Sequence, residues 1–339
     1  MKKLISLALC LVLILSLLSG CQKAPAETTP DTTAPAETQS PEEAKVLKIL
    51  NIGNSHGVDS AWLLYDVLKA EMPEQEIVVA DLYYSGALFE HVDNVKKEAA
   101  VYSYFENTSG QWKETQNTTI AYGLQAQHWD YVVFNESSRH LGLDKWMTNG
   151  NLEWFIDYIN EQIDYDYKLV YNMTWSNPTD EIFHTDPNRM QPPSTFKNSY
   201  MVDYGFDRVK HYNALVEKTK QYIETNEAFD HILHLATPVQ YATEILKVPQ
   251  ADTLRIMDMY RDYTHLSDFA RLMVAYMWYA ELFGIEEITD VKINVIPARM
   301  RATAREKGMG DLEMTKEHKD IIIESVNHAL KNPLSIPEA

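Results

Sequence analysis

The stretch Val46–Ser60, VLKILNIGNSHGVDS, decides how the rest of the chain is read. Val46, Leu47, Ile49, Leu50 and Ile52 make an apolar run that predicts a buried strand. Gly53 is expected to end it, with Asn54, Ser55 and His56 in a tight turn. Asp59 or Ser60 is then placed to cap a helix running to about Ala70, with Leu63, Leu64, Val67 and Leu68 on one face. A strand, a glycine-flanked serine and a helix start expose a hydroxyl at the carboxyl end of a sheet. The serine N–H points outward at the same place, toward a developing oxyanion.

Gly-x-Ser triplets are common in turns, so the far end of the chain carries the argument further. Asp262-Tyr263-Thr264-His265-Leu266-Ser267 precedes a strong helical pattern. An Asp and a His three apart on such a loop can serve one serine. The His removes the serine proton, and the Asp orients the ring and stabilises the imidazolium.

Between these two blocks, strands and helices alternate, which predicts an α/β fold with a parallel sheet. Strands are expected at Glu76–Leu82, Val132–Phe134, Lys168–Met173 and His231–Ala236. Helices are expected at Leu88–Lys97, Leu152–Ile163, Val209–Ile223, Phe269–Phe283 and Thr315–Leu330. With the first strand this makes a sheet of about five. Tyr102–Ile120, turning at Thr108-Ser109-Gly110, reads as a β-hairpin insertion, and Asn177–Gly205 as a long loop of the kind that often serves as a lid. Ligands in such sheets bind beyond the carboxyl ends of the strands. Ser55, Ser85-Gly86-Ala87, Asn135-Glu136-Ser137-Ser138, Thr174-Trp175-Ser176 and Thr237-Pro238-Val239 all fall at expected strand ends.

The early Gly53-Asn54-Ser55 and the late Asp262-x-x-His265 together resemble the first and last blocks of the SGNH/GDSL hydrolases. The resemblance runs from about Val46 to Gly284. It implies a three-layer α/β/α sandwich of flavodoxin-like type and a Ser55–His265–Asp262 triad. It also implies an oxyanion hole made by the N–H groups of Ser55 and Gly86 and a side-chain amide. The family's third block, G-x-N-D, is absent, since Val132–His140 reads VVFNESSRH. Asn135 is the preferred replacement donor and Arg139 the alternative. The departure is similar to a divergent bacterial branch of unassigned function, which shares the IGNS start, Gly86-Ala87-Leu88 with His91, and the late D-x-x-H-L-S.

The chain of 339 residues opens with Met1-Lys2-Lys3 and an apolar run from Leu4 to Leu18. Such a run is long enough for a signal sequence and short for a membrane span. Leu18-Ser19-Gly20-Cys21 resembles a bacterial lipobox, in which Cys21 is lipidated and becomes the mature N-terminus. Residues 1–21 are thus read as a lipoprotein signal, 22–44 as a Pro/Thr/Ala/Glu tether without a core, and 45–335 as the catalytic domain. The protein is expected outside the cytoplasm, held on the cell membrane by lipid. Cys10 and Cys21 are the two cysteines, so the mature domain has no pair to bridge. A net charge of −19 argues against nucleic acid as a partner.

No metal-ligand cluster and no cofactor motif is visible. His231 and His234 are expected on a strand and structural. His56 and His91 are read as turn and core histidines with a smaller chance of contact with substrate. Tyr83, Tyr84, Trp112, Trp146 and Trp175 are read as packing residues or as a rim for sugar rings. The expected activity is hydrolysis of carboxylic esters, with acetyl groups on polysaccharide as the favoured substrate. A catalytically weak or inactive carbohydrate-binding lipoprotein on the same scaffold is the alternative. A solute-binding lipoprotein of a transporter is disfavoured, because no duplicated lobes are visible.

Overall fold

Leu47–Gly53 forms β1, with Ile49, Leu50 and Ile52 fully buried. It lies at the centre of the sheet because both its faces are apolar, as parallel strands covered on two sides require. The computed structural model describes residues 45–138, 147, 149–178, 201–250, 258–301, 308 and 310–337. β1 is followed by α1 (Ser55–Ala61) and α2 (Leu64–Glu71), then β2 (Ile77–Tyr83), α3 (Leu88–Lys96), β3 (Tyr102–Asn107) and β4 (Trp112–Thr118). Next come α4 (Ile120–Gln125), β5 (Tyr131–Phe134), α5 (Asn151–Gln162), β6 (Lys168–Asn172) and α6 (Arg208–Tyr222). The chain continues through β7 (His231–Leu233), α7 (Ala236–Glu244) and α8 (Asp268–Leu282). It closes with a small pair, β8 (Val295–Ile296) and β9 (Leu312–Glu313), and α9 (Lys316–Lys331).

The main sheet has seven strands in the order β4-β3-β2-β1-β5-β6-β7. Five of them, β2, β1, β5, β6 and β7, are parallel neighbours, which matches the expected number for the parallel part. The expectation of about five strands is corrected by the hairpin. Its arms β3 and β4 pair antiparallel with β2 and with each other, and so extend the sheet instead of standing outside it. β4 is mostly exposed, with Lys113, Glu114, Gln116 and Asn117 along it. Charged and polar residues there suit a sheet edge that must not recruit another strand.

Alternate residues of the strands feed two cores. Ile49, Val79, Val133 and Val170 pack with α2, α7, α8 and α9 on one face. Leu50, Ile52, Ala80, Val132 and Phe134 pack with α3, α4, α5 and α6 on the other. This is the three-layer arrangement. α8 is buried almost all round, from Phe269 to Trp278, which explains its strong apolar signal in the sequence. Ser267 caps it by accepting the Ala270 N–H at 3.1 Å, and Gly284 stops it at φ +64°. α7 was not expected. Ala236-Thr237-Pro238 open this helix, so the strand expected over His231–Ala236 ends at Leu233.

β1 has β2 on one side and β5 on the other, so the chain's winding reverses there. A crevice at the carboxyl ends is opened by such a reversal. Ser55 follows β1, Gly86 follows β2 and Asn135 follows β5, which brings all three to that crevice.

Candidate active site

Ser55 is the first residue of α1, and the helix begins earlier than the sequence suggests. Asn54, not Asp59 or Ser60, is its N-cap, with φ −104° and ψ −164° and its side-chain oxygen accepting the His56 N–H at 3.0 Å. Ser60 instead donates to the Gly57 carbonyl at 2.8 Å. Ser55 is half-buried. Among the described residues neither its N–H nor its hydroxyl has a hydrogen-bond partner, so both are available at the helix N-terminus.

Asp262 and His265 form a local unit. His265 Nδ1 lies 2.9 Å from Asp262 Oδ2, and Asp262 Oδ1 accepts the N–H groups of Thr264 and His265 at 3.0 and 2.8 Å. The loop closes on itself through a bridge between Tyr260 and Leu266 and a bond from the Arg261 N–H to the His265 carbonyl. Burial opposes ionisation of Asp262, but the bond from His265 and the charges of His265 and Arg261 outweigh it and hold the carboxyl below its ordinary range. The pairing leaves Nε2 of His265 for a serine. No hydrogen bond joins it to Ser55 among the described residues.

Asp59 ties this loop to the helix that carries Ser55. Its buried carboxylate accepts from Arg261 at 2.9 and 3.1 Å, from the Leu266 N–H at 2.9 Å and from Arg271. Arg271 and Arg301 in turn hold Asp268 at the start of α8. Burial works against the Asp59 charge, yet the two guanidinium groups beside it keep its carboxyl well below the usual range. A second tie runs through His56. Its Nε2 lies 2.9 Å from Thr264 Oγ1, and Thr264 Oγ1 donates to Asn177 Oδ1. The hydroxyl proton is therefore used, and His56 supplies its own. The ring packs against Trp175 at 5.2 Å and lies 6.0 Å from the His265 ring. Burial, then the charge of His265, pushes its pKa down to about 3, so His56 stays neutral.

The opposite wall departs from the sequence reading. The Gly86 N–H, expected to be a free donor, bonds to the Tyr84 carbonyl at 2.8 Å. Asn135, expected to be the side-chain donor, is buried, and its amide nitrogen donates to Asn54 Oδ1 at 3.0 Å and to the Glu136 carbonyl at 3.3 Å. Both of its hydrogens are used, so in this arrangement neither is free for the oxyanion role expected of it. Its Oδ1 fills the space above two glycines. A Cβ on Gly53 would lie 1.8 Å from it, and one on Gly57 2.4 Å from it and from Asn51 Nδ2. Beneath, Asn51 donates to Asp81 at 2.7 Å, and burial pushes the Asp81 carboxyl up to about 8 against that bond. Glu136 accepts the Leu88 and Ser137 N–H groups and is likewise pushed up by burial to about 8.

The remaining candidates are structural. His91 bonds Tyr102 at 2.9 Å in the core, and His234 pairs with Glu281 at 2.6 Å. Trp175 is fully buried, Trp112 stacks on Trp62 at 5.6 Å, and Tyr84 packs on His91. Cys21, the tether, Arg139, Trp146 and residues 179–200 of the long loop lie outside the described residues. Among the described residues no group of three His, Cys, Asp or Glu could hold a metal ion. Asn54 was open to detection as a cap before a helix. Asp59 was not, because its partners lie about 200 residues away.

A family model described as DUF4886, a domain of unknown function, matches residues 48–307. The chain belongs to the DUF4886 family. A crystal structure of a DUF4886 protein from Bacteroides uniformis superposes with a TM-score of 0.66 at 21% identity, covering 87% of this chain and 98% of that one. The DUF4886 fold is therefore shared over nearly all of both chains. A putative SGNH hydrolase from Slackia heliotrinireducens (TM-score 0.43, 17% identity) covers 70% of this chain and 100% of its own. A catalytic mutant of the acetylxylan esterase Axe2 from Geobacillus stearothermophilus (TM-score 0.39, 12% identity) covers 70% and 96%. No curated protein of similar sequence matches. A family of unassigned function is also what the sequence's divergent SGNH-like blocks imply.

Proposed function

We propose that this protein is a serine esterase acting on carboxylic esters. The observation that carries this reading is the bonded Asp262–His265 pair, tied by Asp59 to the helix whose first residue, Ser55, has a hydroxyl and N–H with no hydrogen-bond partner among the described residues. In this reading Ser55 Oγ attacks the ester carbonyl carbon as His265 Nε2 takes its proton. The tetrahedral oxyanion receives the Ser55 N–H. The Gly86 N–H can add to it only by leaving the Tyr84 carbonyl. Collapse expels the alcohol, which takes the proton from His265. Water, deprotonated by His265, then releases the acid and restores Ser55. Asp262 orients the ring and stabilises the imidazolium throughout.

Acetyl groups on polysaccharide are proposed as the substrate from the exported, tethered position read in the sequence. Lipidation at Cys21 is proposed as the anchor. A correctly cleaved Cys21→Ala protein should leave the membrane fraction, and its retention there would refute the anchor. An inactive carbohydrate-binding lipoprotein is the second reading, favoured by the internal bonds of Gly86 and Asn135. A panel of p-nitrophenyl esters separates the two. Turnover is expected, and Ser55→Ala should lower it about 10⁴-fold or more without loss of folding. Wild-type turnover by Ser55→Ala would exclude the mechanism. Binding of acetylated oligosaccharide with no turnover of any ester would favour the second reading.

A further inference from the structure

An esterase with one usable backbone donor needs a second group at the oxyanion. Among the described residues, the wall formed by the loops after β2 and β5 offers neither of the expected ones free, since the Gly86 N–H and both Asn135 amide hydrogens are engaged. What it offers instead is Asn54, the residue before the serine. The orientation of this amide is fixed by its neighbours. Its oxygen accepts the His56 N–H and the Asn135 amide, each at 3.0 Å. Turning the amide over would gain a bond to His56 Nδ1, 3.3 Å away, but would set its NH₂ against two donors and its oxygen against the Gly86 carbonyl, so the nitrogen faces the other way. There it makes one long bond, 3.3 Å, to the Gly86 carbonyl. Its second hydrogen has no partner among the described residues.

We propose that the side-chain amide of Asn54 is the second oxyanion donor, beside the Ser55 N–H, and that Asn135 is a positioning residue that aims it. The proposal rests on the esterase reading and deepens it. Three features support the assignment. The donor sits one residue from the nucleophile, as the N-cap of α1, so its placement relative to Ser55 costs little reorganisation. A carbonyl that already accepts two hydrogen bonds polarises its own amide, which makes the remaining N–H a better donor. The two glycines of Gly53-Asn54-Ser55-His56-Gly57 have a matching purpose, because a Cβ at either would collide with Asn135 Oδ1 and push Asn135 off Asn54. The whole five-residue block then reads as one device holding an amide and a hydroxyl side by side.

The test compares Asn54→Asp, Asn54→Ser and Asn135→Ala in the purified protein, with kcat and KM on a p-nitrophenyl ester and the rate of Ser55 labelling by a fluorophosphonate. Asp and Ser both retain an oxygen able to cap α1, so the two Asn54 variants should fold, with melting curves as the control. Asn54→Asp changes a donor nitrogen to an oxygen at constant shape. Both Asn54 variants should lose about 10²–10³ in kcat with KM nearly unchanged, and label more slowly in proportion. Asn135→Ala should lose less, about tenfold, again in kcat. A purely structural role would lower melting temperature without this split. Near-wild-type kcat in a folded Asn54→Asp protein overturns the inference and leaves the esterase reading intact. So does a larger kcat loss in Asn135→Ala than in either Asn54 variant, which returns the donor to Asn135. A wild-type protein that neither turns over esters nor labels overturns the esterase reading, and this inference with it.

Discussion

The two sides of the crevice around Ser55 are built from different materials. The side that presents His265 is ionic. Asp262 and Asp59 are both held charged, and Arg261, Arg271 and backbone N–H groups surround Asp59. The side where the oxyanion would form is built mainly of amides, with the Glu90 carboxyl at its rim accepting the Ala87 N–H at 2.8 Å. It holds the amides of Asn51, Asn54 and Asn135 above an Asp81 carboxyl that burial keeps protonated. Several of its buried oxygens, Asn51 Oδ1, Asp81 Oδ1 and Asn135 Oδ1, have no hydrogen-bond partner among the described residues. The difference follows the charge each side must meet in the proposed reaction. Negative carboxylates stabilise an imidazolium. An ionised carboxylate under the oxyanion would repel it, and the groups nearest Asn54 there are amides and the raised Asp81 carboxyl.

This contrast predicts opposite responses to pH. Asp59 has a folded pKa below its ordinary value, so its contribution to stability is present above the carboxylate range and fades as pH falls. Asp59→Asn should cost about 3 kcal/mol at neutral pH, because it leaves the buried Arg271 with Asp268 as its remaining charge partner. It should also reduce the acid sensitivity of folding. Denaturant midpoints measured from neutral to acid pH check both. A variant as stable as wild type would show that the ionic side does not hold the loop. The smaller effect lies across the crevice. Asp81 has its folded pKa raised from 3.8 to about 8, so its contribution is complete below the ordinary value and is lost as pH rises toward 8. Asp81→Asn should therefore gain on wild type by on the order of 2 kcal/mol between mildly acid and mildly alkaline pH. Parallel stability curves for the two proteins would mean that Asp81 is ionised, and the neutral-floor description would fail.

How much of this was legible in advance depends on the range of each interaction. The Asp262–His265 pair could be read directly, because the bonds between its two side chains and their own loop span no more than four residues. The buried strand before Ser55 and the apolar α8 were equally plain, since burial on all sides leaves a continuous apolar signature. The hairpin was visible as a hairpin but not as part of the sheet. Nothing in its polar outer arm records that its inner arm pairs with β2. Asn135 lies at the expected strand end with its amide bonded to Asn54 and Glu136, which a strand end by itself does not reveal.

The sequence by itself determined the order of elements, the serine at a strand-to-helix turn and the Asp262–His265 pair near the end of the chain. These rest on apolar periodicity, capping chemistry and hydrogen bonds a few residues long. Only the tertiary structure decided that Asp59 binds the loop some 200 residues later, and that Asn135 spends its donors on Asn54 and Glu136. Those facts depend on which strand ends the folded sheet sets side by side. Hydrogen bonds act over about 3 Å of space and not along the chain.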